Sequence, residues 1–182
     1  YVWQRDLAVW RDSAPNLFPY IARLTKGTYH LDGETYEMKI HGLVKYSVLE
    51  AEEVGDDHVT FVLCANDETR RQYPFDFVRI TYALEGQTLR MTVRVENEGS
   101  RRMYFGVGGH PGFLVPLEEG LAFEDYFLEF ADPAQPWRVG FNEDNGINGT
   151  DRPYPLEDGR RIPLQHSLFD HDAIVLKHAA RQ

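Results

Sequence analysis

The sequence predicts an all-β fold, a sandwich or a barrel, with residues 1–182 as a single domain. Three observations carry that expectation. Leu89, Met91, Val93 and Val95 alternate at strict period two with Arg90, Thr92, Arg94 and Glu96, which is the pattern of a strand with one buried and one wet face. Asp32-Gly33 separates two strand-like runs, and Asp-Gly suits the positive dihedrals of a type I′ hairpin turn. Helical periodicity is scarce along the whole chain.

Taken in order, residues 28–31 and 34–38 form the arms of that hairpin. Residues 59–64 make an apolar strand, so its cysteine, Cys64, is expected to be a buried, inert thiol. Residues 67–73 hold one helical turn, stopped by Pro74. Residues 75–84 alternate in part, Glu85-Gly86-Gln87 turns the chain, and the period-two strand follows. After the turn at 97–100 a strand is expected from 103 to 107, another at 126–130 and a last one at 173–177. The stretch 131–161 is rich in Pro, Gly, Asn and Asp and reads as long loops with short extended pieces.

Composition narrows the function. The formal net charge of −10 disfavours phosphate-rich partners, so no nucleic-acid partner is expected. No run of about 18 apolar residues exists to span a bilayer, and no membrane partner is expected. The opening residues have no signal-peptide pattern, and the lone cysteine excludes an internal disulfide; both fit a reducing, cytoplasmic setting. The oligomeric state is not legible.

Among seven histidines, His110 is set apart by Gly106, Gly108 and Gly109 before it and Pro111 and Gly112 after it. On the residues alone, that frame serves equally a buried bulge and an imidazole presented at a strand end to move protons. His41, in Ile40-His41-Gly42, reads as a strand-end histidine bonded to backbone. The cluster His166 to Asp172 matches no zinc signature, so no metal is expected. The chain contains neither a phosphate-binding Gly-rich loop followed by Lys nor a Ser-centred nucleophile elbow. Most aromatic residues belong to the core; Trp3, Trp10 and Trp137 are the candidates for a ligand face.

Five stretches in order, ending with residues 168–174, resemble one family: Leu17-Phe18-Pro19 followed by Arg23, then His41-Gly42, Tyr73-Pro74-Phe75, Gly108-Gly109-His110-Pro111 and Phe169-Asp170-His171-Asp172. This is similar to the aldose 1-epimerase (galactose mutarotase) family, in its LacX-like branch. The resemblance implies a large antiparallel β-sandwich of the galactose-mutarotase type and interconversion of the α and β anomers of a free aldose, with no cofactor. It implies His110 as general acid, His41 as a hydrogen-bonding partner of the ring oxygen or a nearby hydroxyl, and Arg23 as a sugar contact. A sugar-binding aspartate falls on Asp170 or Asp172, and both remain open.

Two departures stand out. The branch pattern has arginine where Lys45 stands, and lysine cannot reproduce a planar fork. The family's catalytic glutamate lies in an "EPW"-like stretch, which this sequence lacks. The expectation is therefore an incomplete sandwich lacking its C-terminal strands, with the acid of the pair but not the base. Two alternatives follow: a hexose-phosphate mutarotase, or a non-catalytic carbohydrate-binding protein. The phosphate reading would draw on Arg70-Arg71 and Arg101-Arg102. Each pair sits in a charged turn, and neighbours on a strand point to opposite faces, so these arginines are expected to be solvated.

Overall fold

The computed structural model describes residues 2–179. Asp6–Pro111 is one compact unit; the residues up to Arg5, together with those from Gly112 onward, make the other. The fold is mostly β, and every ladder between its strands is antiparallel.

The first unit contains β1 (Asn16–Leu17), β2 (Thr28–Leu31), β3 (Glu34–Glu37), β4 (Glu50–Val54), β5 (His58–Cys64), the helix α1 (Asp67–Gln72), β6 (Phe77–Glu85), β7 (Thr88–Glu96) and β8 (Gly108–Gly109). The hairpin β2–β3 turns at Asp32 and Gly33, with φ of 52° and 86°, as the Asp-Gly pair requires. The helix is capped by its own sequence. Asn66 Oδ1 accepts from the Glu68 and Thr69 amides, and the Asn66 amide donates back to Thr69 Oγ1. Tyr73, ahead of Pro74, is already extended.

Strands β4-β5-β6-β7 form one four-stranded sheet. Register places Leu63 opposite Val78 and Val78 opposite Val95, with Phe61, Ile80 and Val93 one pair further along the same face. That face packs on Phe18, Met38, Leu43, Val44, Tyr73 and Phe75. Val78 and Phe75 are essentially without solvent contact.

Four expectations change here. Cys64 is exposed rather than buried. It is the last residue of β5 and lies on the face opposite Leu63 and the core cluster, the face on which Arg79 is gripped by Glu52 and Glu96. The apolar stripe of β7 is covered only at Val93 and Val95, while Leu89 and Met91 lie beyond the core cluster and are exposed. No strand occupies 103–107; the pairing falls on Gly108 and Gly109 instead, opposite Leu17 and Asn16. His41 lies in a turn with φ of 68°, not at a strand end.

The second unit contains β9 (Phe127–Glu129), β10 (Trp137–Arg138), β11 (Arg152–Pro153), β12 (Arg161–Pro163) and β13 (Leu176–Lys177). β10 sits between β11 and β13, and β9 pairs with β12. Ile162, Leu164 and Val139 are buried. The last strand is shorter than expected, two residues rather than five, and the stretch 131–161 is the sequence of loops that its Pro, Gly and Asn content implies.

One close approach organises the first unit. The Phe18 carbonyl accepts from the amides of Leu43 (2.8 Å) and Val44 (3.2 Å). Gly42 lies over that carbonyl with φ of 81°, and a Cβ there would sit 2.2 Å from the oxygen. Gly33 has a similar φ of 86° but open space around it. Gly42→Ala is expected to cost about 3 kcal/mol or more, and Gly33→Ala only the left-handed backbone penalty of about 1–2 kcal/mol. Urea unfolding of the two variants checks this; equal losses would refute the steric argument.

Candidate active site

Residues 16–22 bring the two candidate histidines together. On one side, β1 pairs with β8, whose next residue is His110. On the other, Phe18 bridges Gly42, so His41 is held against the far end of the same segment. Of the glycines ahead of His110, Gly108 is the one packing dictates: a Cβ would lie 3.1 Å from Ile21 Cδ1 and 3.4 Å from Leu17 Cδ1.

The result is a pair of imidazoles with ring centroids 5.6 Å apart and planes at 74°. Trp10 lies on the other partner of the pair, its ring centroid 5.0 Å from that of His110. Trp10 is set by a short turn in which its amide donates to the Asp6 carbonyl. His110 is exposed and His41 half-buried.

His41 is locked at two points. Its amide donates to the Ala22 carbonyl at 2.9 Å, and the Ala22 amide donates to His41 Nδ1 at 3.1 Å. Both residues have positive φ, 68° and 69°, so neither is in an intrinsically favoured conformation; the reciprocal bonds hold them. An amide proton on Nδ1 makes that nitrogen an acceptor, which leaves the proton of the neutral ring on Nε2. The backbone-bonded histidine expected from sequence is thus present, and the bond leaves Nε2 as the ring's donor.

Burial of the ring, then the Lys45 ammonium, then His110, pull the His41 pKa below its ordinary value; Asp12 opposes them. Lys45 itself is committed. Its Nζ is 2.6 Å from Asp12 Oδ2, 5.0 Å from the Tyr46 ring centroid, and its side chain is 8% exposed. Burial works against the Lys45 charge, but the bond and charge of Asp12 together with Tyr46 outweigh it, and the pKa rises. Lys45 is therefore a fixed cation beside His41. The Asp12 partnership, 33 residues away, carried no sequence signal.

Arg23 is exposed, and its guanidinium has no protein acceptor among the described residues. It adds to the positive field on His41. Asp170 and Asp172 belong to the second unit, and both are exposed. Asp172 has φ of 64°, and its Oδ1 accepts from the Ala173 amide at 2.7 Å. In the same unit His166 Nδ1 is 2.7 Å from Glu124 Oε1, which occupies that nitrogen.

The fold is of the galactose mutarotase-like type: a galactose mutarotase related enzyme from Lactobacillus acidophilus superposes with a TM-score of 0.87 at 32% identity, over 96% of this chain and 58% of that one. A galactose mutarotase-like protein from Lactobacillus casei gives 0.84 at 33% identity, over 97% and 60%. Protein LacX (chromosomal) of Lactococcus lactis subsp. lactis is 34% identical over 184 residues, 97% of this chain and 62% of that protein. The chain thus spans about three-fifths of the length of the curated relatives it matches. The aldose 1-epimerase family model matches residues 1–181, and the chain belongs to that family.

The electrostatics make a pH prediction. A histidine whose folded pKa is lowered binds fewer protons folded than unfolded in the window just below pH 6.5. The His41 contribution to stability is therefore complete above that window and is lost as pH falls through the folded pKa. Lys45→Met removes the cation and frees the Asp12 carboxylate, so the His41 pKa should move up. NMR titration of the His41 ring in the two proteins checks this; an unchanged or lower value in the variant would contradict it.

Proposed function

We propose that this chain provides the acid side of an aldose 1-epimerase site that interconverts the α and β anomers of a free aldose. His110 delivers a proton to the ring oxygen as the C1–O5 bond breaks, and the electron pair of that bond goes to O5. The O1–H proton leaves to a base as C1=O1 forms. Rotation about C1–C2 and closure on the other carbonyl face give the second anomer. Acid and base must act on different oxygens in one step, which is why positioned groups accelerate it. His41 donates through Nε2–H to the ring oxygen or a neighbouring hydroxyl, and Arg23, with its donors unspent, holds sugar hydroxyls.

The observation that carries this reading is the His41–His110 pair, with one ring locked by the backbone and the other exposed. Family membership supports a carbohydrate epimerase or mutarotase role. A second reading is a carbohydrate-binding protein without turnover, in which exposed Arg23 and the His41–His110 pair contact the sugar and no proton is transferred.

Titration of the chain with galactose, followed by NMR, separates the outcomes. Both ring signals should move, and Arg23→Ala should weaken binding by about tenfold, the loss of one or two good hydrogen bonds. Exchange spectroscopy then reads turnover. Where anomer exchange exceeds the spontaneous rate, His110→Asn should lower it by about 100-fold or more while binding persists. Binding without exchange selects the second reading, and no movement of either ring at saturating aldose overturns both.

A further inference from the structure

The first unit has a second concave site, of about 470 Å³, that contains none of His41, His110 and Arg23. Its volume falls in the range of small-ligand sites, about 300–1,000 Å³. Arg70, Arg101 and Arg102 line it, with Asp76 as the one carboxylate, and Tyr29 and Met103 supply apolar wall. A cluster of three guanidiniums is unexpected on a protein with a formal charge of −10.

The segment after the turn at 97–100 explains how adjacent arginines meet. Residues 101–107 form no strand, so the alternation that would send Arg101 and Arg102 to opposite faces does not apply, and both line the cavity. The segment is pinned on either side. Asn97 Nδ2 donates to the Arg101 carbonyl at 2.8 Å, and Tyr73 Oη donates to the Tyr104 carbonyl at 2.6 Å. Asp76 is held too, with Oδ2 accepting from the Glu98 amide at 2.8 Å.

These arginines differ from Arg79 and Arg90 of the same unit. Arg79 grips Glu52 through two nitrogens at 2.7 and 2.9 Å, and Arg90 grips Glu85 through two at 2.7 Å. Arg70 touches Asp76 through one nitrogen at 3.3 Å, and Arg101 touches Asp32 through one at 3.3 Å. Arg102 has no side-chain acceptor among the described residues. Most of the donors around this cavity are therefore unspent, and forked guanidinium donors match the oxygens of a phosphate better than any neutral group.

We propose that this cavity binds a phosphate group, free or carried by a small phosphorylated molecule. The inference is independent of the epimerase reading, since it uses a different set of residues. Amide and arginine side-chain NMR signals are followed while inorganic phosphate, glucose 6-phosphate or glucose is added to the chain. Phosphate and glucose 6-phosphate should both move signals of Arg70, Arg101, Arg102 and Met103, and glucose should leave them in place. A tighter fit for glucose 6-phosphate identifies the ligand as a phosphorylated molecule, and equal affinity identifies the phosphate group alone. The double variant R101A/R102A, exposed side chains whose loss should leave the unfolding midpoint unchanged, should weaken phosphate binding by about tenfold or more. The proposal is overturned if phosphate leaves these signals unmoved, if glucose 6-phosphate moves only His41 and His110, or if the double variant binds phosphate as well as the parent.

Discussion

The first unit is organised around the main chain of Phe18. Its carbonyl takes two amide protons, from Leu43 and Val44, under a glycine that has no room for a side chain. The side chain below is one of the most buried in the unit and meets Tyr73, Phe75 and Phe105 in edge-on and tilted contacts. A buried carbonyl with two partners is fully satisfied, and a buried aromatic ring resists displacement, so the backbone here has little freedom. Residues before and after Phe18 inherit that rigidity: Leu17 pairs with Gly108, the Pro19 carbonyl accepts from Gly106, and Ala22 pairs with His41.

The site follows from this hub. His110 comes one residue after a two-residue ladder and His41 one residue before a steric contact, so neither depends on a long flexible loop for its position. In the proposed reaction the chemistry divides between the two rings. His41 is tied through Nδ1, kept in a positive field by Lys45 and offers one proton from a fixed nitrogen. His110 is exposed beside Trp10 and has the access that a proton donor to a ligand needs. A ring whose Nδ1 is fixed by the backbone, beside a ring open to solvent, fits the proposed pairing of a hydrogen-bond donor with an acid.

How much of this could be read from residues differs by feature. The hairpin at Asp32-Gly33, the helical turn before Pro74 and the central strands were all legible, because local periodicity and turn chemistry dictate them. The role of Gly42 was legible only as a motif next to His41; its cause, the Phe18 carbonyl 24 residues away in sequence, is a tertiary contact. Lys45 showed as a departure from arginine, yet its pairing with Asp12 gave no pattern to read. Cys64 misled because an apolar run hides which face its last residue takes. Arg101 and Arg102 are exposed, as their charged setting implied, but strand alternation does not govern where they point, because the backbone there is tied by Asn97 and Tyr73 rather than by a ladder. In each case the local residues were read correctly and a partner distant in sequence decided the outcome.

The claim on which the site depends is that the Ala22 amide proton rests on His41 Nδ1, so that the neutral ring carries its proton on Nε2. Long-range proton–nitrogen correlation of the histidine rings, recorded at neutral pH on the chain labelled with nitrogen-15, reads the tautomer directly. The predicted result is a single Nε2–H pattern for His41, with the Nδ1 shift of an acceptor. An Nδ1–H tautomer, or the averaged pattern of a ring free to exchange between the two, would contradict the arrangement described above.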